Sequence, residues 1–195
     1  MNITKQAPVH ALRRAMRSTE QTTGMSVLEH GLEVARYFED LRSHVINGTQ
    51  LKYEWKLPDW VYDKGLWSRL LPLSTVRRYQ IYHDVGKPFC RTVDEQGRAH
   101  FPSHAEVSAK VWLESTGEAD VANLMAKDMD IHLLKGNGVE AFSACPEAAT
   151  LLLTGLAEIT ANASMFGGVG STSFKIKFKN LNRRGKAIVN KLNAE

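Results

Sequence analysis

Apolar positions recur mostly at helical spacing along this chain. From Ser26 the stripe Val27, Val34, Phe38, Leu41 and Val45 predicts a helix. Ser26 and Glu29 are spaced as a capping box at its start, and His30 lies on the stripe. Between Asn47 and Leu73 the pattern breaks into Asn-Gly, two prolines and the spaced aromatics Trp55, Trp60 and Trp67, which reads as a long irregular excursion. Ser74 is placed to cap a second helix on which Val76, Gln80 and His83 share a face, with Gly86 and Pro88 ending it. Phe89 to Phe101 alternates around Asp94-Glu95-Gln96-Gly97, the mark of a short hairpin. Ser103 and Glu106 repeat the capping-box spacing before a third helix bearing Val107, Val111 and Trp112, with His104 in its first turn. A fourth helix after Gly117 carries Val121, Leu124, Met125, Asp128, Ile131 and His132 as far as Gly136. Pro146 opens a fifth through Leu151, Leu152, Gly155, Ile159 and Phe166, with Asn162 on its face. Past Gly167, Gly168 and Gly170, the alternation of Phe174, Ile176 and Phe178 with lysines predicts a short strand, and a basic helix follows from about Leu181 to Leu192.

Composition narrows the class. With 43% hydrophobic and 24% charged residues, 195 residues suffice for one globular domain with a real core. No apolar run approaches the length of a membrane span, and Met1 to Arg17 has no apolar signal core, so neither a membrane segment nor a secretion signal is expected. Two cysteines, Cys90 and Cys145, form neither a disulfide framework nor a CxxC pair, which fits a reducing, cytoplasmic setting. The net charge of +4 leans mildly toward anionic partners. Most of that lean sits in Lys175, Lys177, Lys179, Arg183, Arg184, Lys186 and Lys191, opposed only by Glu195. This segment is either a solvated extension or a rim that attracts phosphate.

The chemistry lies in residues that the predicted helices carry inward: His30, the neighbours His83 and Asp84, His104, His132 and Asn162. One histidine on an apolar face is ordinarily a hydrogen-bonded core residue. Four imidazoles and a carboxylate in one core are costly unless they share partners or a cation. Mixed imidazole and carboxylate ligation suits manganese, iron, zinc, nickel or cobalt better than calcium. Adjacent residues point about 100° apart within a regular helix, so His83 and Asp84 reach one ion only where the helix ends. Gly86, read as a left-handed cap, and Pro88 provide that end. Lys87 either binds a phosphate oxygen there or simply answers the helix dipole. Asp128, one turn before His132, either orients that imidazole and relays a proton or is a solvated helix residue.

The run Tyr82-His83-Asp84-Val85-Gly86-Lys87-Pro88, followed by Arg91 to Phe101 and Ser103-His104-Ala105-Glu106, resembles the HD-domain metal-dependent phosphohydrolases. It is most similar to the HD module that accompanies bacterial tRNA nucleotidyltransferases, and the resemblance spans about Ser26 to Phe166. It implies an all-α bundle of about five core helices with a short β-hairpin and its core at about 26–166; length and charge distribution add the expectation of a single domain over residues 1–195 with a basic extension at 167–195. The resemblance also implies one or two divalent ions (Mn, Ni, Co, Fe, Zn or Mg). His30, His83, Asp84 and a final acidic residue would hold the first, and Asp84 would bridge to a second held by His104 and His132. Where the family has its final aspartate this chain has Asn162, an oxygen donor without charge; Glu158, one turn earlier, is the substitute. Asp84, Lys87 and Asp128 are then the candidate catalytic groups, and Lys87, Arg91, Arg98, Lys175 and Lys177 the candidate substrate contacts.

The expected activity is hydrolysis of a phosphate ester of a nucleotide or of a phosphorylated or cyclic-phosphate nucleic-acid end. Trp55, Trp60 and Trp67 either stack a base or form a satellite hydrophobic cluster. The alternative from another class is a non-catalytic module binding RNA or a nucleotide on the same scaffold, and a di-iron oxygenase ranks last.

Overall fold

A computed structural model describes residues 6–165 and 167–194. They are mostly helical, with two small two-stranded sheets. The elements in chain order are α1 (Gln6–Ser18), β1 (Glu20–Thr22), β2 (Met25–Ser26), α2 (Val27–Asn47), α3 (Lys64–Ser68), α4 (Leu73–Tyr82), α5 (Lys87–Cys90), β3 (Thr92–Val93), β4 (Ala99–His100), α6 (His104–Thr116), α7 (Ala119–Ala126), α8 (Asp130–Leu133), α9 (Val139–Ser143), α10 (Ala148–Met165) and α11 (Thr172–Leu192). The chain forms two compact units, Met1–Leu32 with Arg77–Met129, and Glu33–Val76 with Asp130–Glu195.

The first unit packs α6 against α7 and α5, with α1 against α5 and α6. Its core holds Met16, Leu28, Tyr79, Val85, Trp112, Leu124 and Met125. The capping box at the start of α2 is formed: Glu29 accepts from the Ser26 amide at 2.8 Å and its hydroxyl at 2.8 Å, and the Glu29 amide donates back to Ser26 Oγ at 3.2 Å. The hairpin is formed as well, with Thr92 opposite His100 and Val93 opposite Ala99. Asp94 closes its turn by accepting from the amides of Gln96 and Arg98.

Other local expectations give way. The second capping box does not form: Ser103 precedes α6 with φ 49° and its side chain makes no cap hydrogen bond. Helix α4 begins at Leu73, one residue before the expected cap Ser74, and ends at Tyr82. Gly86 is right-handed, with φ −77° and ψ −22°, so it is not the expected left-handed cap. Its lack of a side chain matters for another reason, since a Cβ there would sit 2.4 Å from the Ser108 amide nitrogen of α6. Pro88 starts α5 instead of merely stopping α4, as proline does in a first helical turn. The N-terminal helix α1 and the β1-β2 pair were not anticipated, because α1 alternates cationic and apolar residues without a recognisable cap.

The second unit builds α10 against α8, α9 and α11. Its core holds Val34, Phe38 and Leu41 of α2, Leu151 to Leu153 and Leu156 of α10, and Phe174, Leu181 and Ile188 of α11. The expected strand at Phe174 to Phe178 is instead the first two turns of α11, capped by Ser171 Oγ accepting from the Phe174 amide at 3.2 Å. Phe174, Phe178 and Leu181 are buried together at i, i+4 and i+7, a helical repeat that the local alternation with lysines concealed. Helix α10 starts at Ala148, two residues after Pro146. The Phe166 end of the expected fifth helix lies outside the described residues. The expected fourth helix is two short ones, α7 and α8, which end and begin on either side of residues 127–129.

The excursion after α2 is anchored by its tryptophans. Trp55 Nε1 donates to Asp40 at 3.0 Å, Trp60 Nε1 to Asn182 at 3.0 Å, and Trp67 Nε1 to the Val61 carbonyl at 2.6 Å. Trp60 and Trp67 are buried. Trp67 lies 6.0 Å from the Phe38 ring and the half-buried Trp55 5.5 Å from the Tyr37 ring, so these side chains pin the excursion to α2. Among the described residues no helix is long and apolar enough to cross a membrane.

Candidate metal centre

The first unit draws its site from three places. Helix α2 contributes His30 one turn after its cap. The turn that follows α4 contributes His83 and Asp84, and α6 contributes His104 in its first residue. Leaving the helix at Tyr82 is what allows the adjacent His83 and Asp84 to face one point. Close backbone approach fixes the spacing: a Cβ on Gly31 would lie 2.1 Å from the Ile81 carbonyl oxygen. Bulk at Gly31 is thus excluded by the same contact that holds His30 beside His83, whose ring centroids are 5.2 Å apart.

Asp84 is the centre of this arrangement. Its Oδ2 lies 3.3 Å from His83 Nε2, 3.8 Å from His30 Nε2 and 2.7 Å from Lys87 Nζ, and its Oδ1 is 3.8 Å from His104 Nε2. His30, His83 and Asp84 are each no more than 2% exposed, whereas the His104 side chain is 22% exposed and forms the accessible side. Burial alone would raise the Asp84 pKa, but the positive groups His83, Lys87 and His30 around it hold it well below the usual carboxylate range. The carboxylate is therefore ionised at neutral pH.

The donor set fits a divalent cation. One ligand atom from each of His30, His83 and Asp84 lies within 4.8 Å of the others. Ligands at about 2.1 Å from one ion, held near tetrahedral or octahedral angles, are separated by roughly 3.0–3.4 Å; the His83–Asp84 pair at 3.3 Å already has that spacing, and the His30–Asp84 pair at 3.8 Å must close. Second contacts orient the rings. His83 Nδ1 lies 2.9 Å from the Gln80 carbonyl and His104 Nδ1 3.2 Å from the Phe101 carbonyl, so each Nδ1 donates and each Nε2 is left on the Asp84 side, where it can ligate an ion once its proton is lost.

Lys87 is buried, with Nζ donating to Asp84 Oδ2 and, at 2.9 Å, to Gln21 Oε1, and it lies 5.4 Å from the Phe101 ring centroid. Gln21 has no sequence signal that marks it, since it falls in a strand between two elements that showed no pattern. Asp128 is buried and accepts from Tyr79 Oη at 2.6 Å. Asp128 falls among residues 127–129 between α7 and α8, and not on one continuous helix with His132 as expected. Arg91 and Arg98 are exposed on the β3-β4 hairpin, and Arg98 is held there by Asp94 at 3.0 Å and Gln96 at 3.0 Å.

The remaining expected ligands, His132 and Asn162, belong to the second unit. His132 Nε2 is 3.1 Å from Glu158 Oε2 across α8 and α10. Asn162 lines a small recess between α10 and α11 together with Ser173 and Lys177, and Lys175 is exposed on α11. The chain matches no protein-family model, and no curated protein and no solved structure is significantly similar to it.

Proposed function

We propose that this protein is a metal-dependent phosphohydrolase, with a phosphate ester of a nucleotide or of a nucleic-acid end as substrate. The supporting observation is one buried, ionised carboxylate, Asp84, faced by the Nε2 atoms of three histidines and by a lysine. His30, His83 and Asp84 would hold the ion. A bound divalent ion supplies Lewis acidity toward phosphoryl oxygens and lowers the pKa of a coordinated water.

The protein's own groups divide the remaining work. Asp84 would provide the negative charge that retains a cation among the imidazoles. The carbonyls of Gln80 and Phe101 fix His83 and His104 in the ligating tautomer. His104, on the accessible side, meets an entering phosphate first. Lys87 has its charge already desolvated and positioned, so it stabilises extra negative charge on a phosphoryl group without reorganising.

The test is hydrolysis of a bis-aryl phosphate and of a panel of nucleotides, 2′,3′-cyclic phosphates and phosphate-ended RNA, with manganese, nickel or cobalt added. Metal-dependent turnover by the wild type that is lost in His83→Ala and Asp84→Asn supports the proposal. Turnover that persists in both variants, or none with any metal, contradicts it. One observation favours a second reading, a non-catalytic binding module: the Lys87 ammonium already neutralises Asp84 at 2.7 Å without a metal ion. That reading predicts substrate binding without turnover and no change in stability on adding metal.

A further inference from the structure

Helix α11 buries one face and leaves the other basic. Phe174, Phe178, Leu181 and Ile188 are packed inward. On the opposite side Lys175, Lys179, Arg183 and Lys186 are all exposed. At 100° per residue these four fall within an arc of about 80°, and at 1.5 Å per residue they extend over about 16 Å. No acidic residue occurs anywhere between Thr172 and Leu192. Among the described residues none of the four takes part in an ion pair; on this helix only Lys191 does, with Glu140 at 3.4 Å. Such a row would ordinarily repel itself and gains no stability for the fold.

A second feature adjoins the row. Arg183 and Arg184 line an open groove of ≈ 380 Å³ with Lys135, Leu134 and Val139, and no acidic residue faces it. Arg184 is fixed there by donating from Nε to the Leu134 carbonyl at 2.8 Å. The cationic row thus continues into an apolar slot rimmed by three positive side chains.

We propose that this face of α11 binds the phosphodiester backbone of a single-stranded nucleic acid, with the groove at Arg183 receiving a base. A linear row of unpaired cations beside an apolar slot matches a strand that alternates phosphates and planar bases. An anionic membrane fits less well, because the apolar residues that would insert are spent in the core and only Ile176, 58% exposed, is available beside the row. The inference does not depend on the metal centre, and its test keeps the two apart.

Fluorescence anisotropy of the full chain with a labelled 12-nucleotide single strand, in EDTA and across a salt series, reads the interaction directly. Neutralising four phosphates gives a slope of about −2.8 in log K against log salt. Removing two of them with Lys179→Gln and Arg183→Gln should flatten it to about −1.4 and weaken binding about 25-fold at 0.1 M salt. The charge reversal Lys179→Glu with Arg183→Glu should weaken it further. Arg14→Glu with Lys110→Glu, which changes net charge by the same amount on exposed positions of α1 and α6, should leave the slope near its wild-type value. Asp84→Asn should bind as the wild type does, so loss of the metal centre and loss of this face are read separately. Thermal melts confirm that each variant is folded. The proposal is overturned if the two reversed pairs weaken binding equally, if the wild type does not bind, or if it binds phosphatidylserine vesicles and not the strand.

Discussion

Replacing Gly31 by alanine probes the contact on which the metal centre is built. In an exposed helix interior the change would stabilise by about 0.5–1 kcal/mol, because alanine loses less backbone freedom on folding. Here the new Cβ would lie 2.1 Å from the Ile81 carbonyl oxygen, 2.8 Å from its carbon and 3.1 Å from the Gln80 carbonyl oxygen. These are backbone atoms and cannot rotate away. Restoring ordinary contact requires α2 and the end of α4 to separate by roughly 1 Å, which places the cost near the top of the usual overpacking range, about 3 kcal/mol. For a chain of this size that lowers Tm by about 6–12 °C. The same displacement carries His30 away from His83, so cobalt or manganese affinity should fall with stability. Thermal unfolding in EDTA measures the first effect and titration of the apoprotein with Co²⁺ the second. A variant that melts at or above the wild-type temperature and binds cobalt unchanged would refute the close packing of these two segments.

Gly86→Ala tests the corresponding approach of α6, where the added carbon would meet the Ser108 amide at 2.4 Å and the His104 carbonyl at 2.9 Å; a loss of about 1–3 kcal/mol is expected in urea unfolding. Ser108→Ala removes the buried acceptor of the Gly86 amide, a 2.8 Å bond, and should cost about 1–2 kcal/mol by the same assay. Acid titration of the apoprotein tests Asp84: since its folded pKa is held below the unfolded value, the unfolded carboxyl takes up a proton first as pH falls. Its stabilising contribution is complete above about pH 5 and is lost as pH drops through the ordinary carboxylate range toward the folded pKa, so Asp84→Asn should show a flatter decline there than the wild type. Asp63→Ala deletes the cap of α3, in which Asp63 Oδ1 accepts from the Leu66 amide at 2.8 Å; about 1 kcal/mol should be lost, and an unchanged melting curve would count against the cap.

The local signals that the chain carries are uneven. The Ser26-Glu29 box and the Asp94 turn were readable because short-range hydrogen bonds determine them. The Ser103-Glu106 spacing failed because Ser103 adopts a left-handed conformation, φ 49°, in which its side chain makes no hydrogen bond to the α6 amides. The Phe174 to Phe178 alternation misled because two aromatics at i and i+4 fit a strand's period as well as a helix's, and only packing in the second unit decides between them. Gly86 was legible as a special position but for the wrong reason, since close approach to α6 cannot be seen in a linear pattern. Of the cluster around Asp84, His30, His83 and His104 were legible from their places on the predicted helices, and Asp84 and Lys87 from the run Tyr82 to Pro88 that ends one of them. Gln21 and the carbonyls of Gln80 and Phe101 were not, because a supporting contact made by backbone or by a strand residue leaves no residue-type signature.

The most direct measurement is metal content after loading. The wild-type protein, stripped with EDTA, incubated with manganese or cobalt and dialysed, should retain at least one equivalent by elemental analysis and show a raised Tm. His83→Ala and Asp84→Asn, folded by circular dichroism, should retain none. Equal retention by all three, or no metal and no thermal shift in the wild type, would remove the cation from the cluster around Asp84.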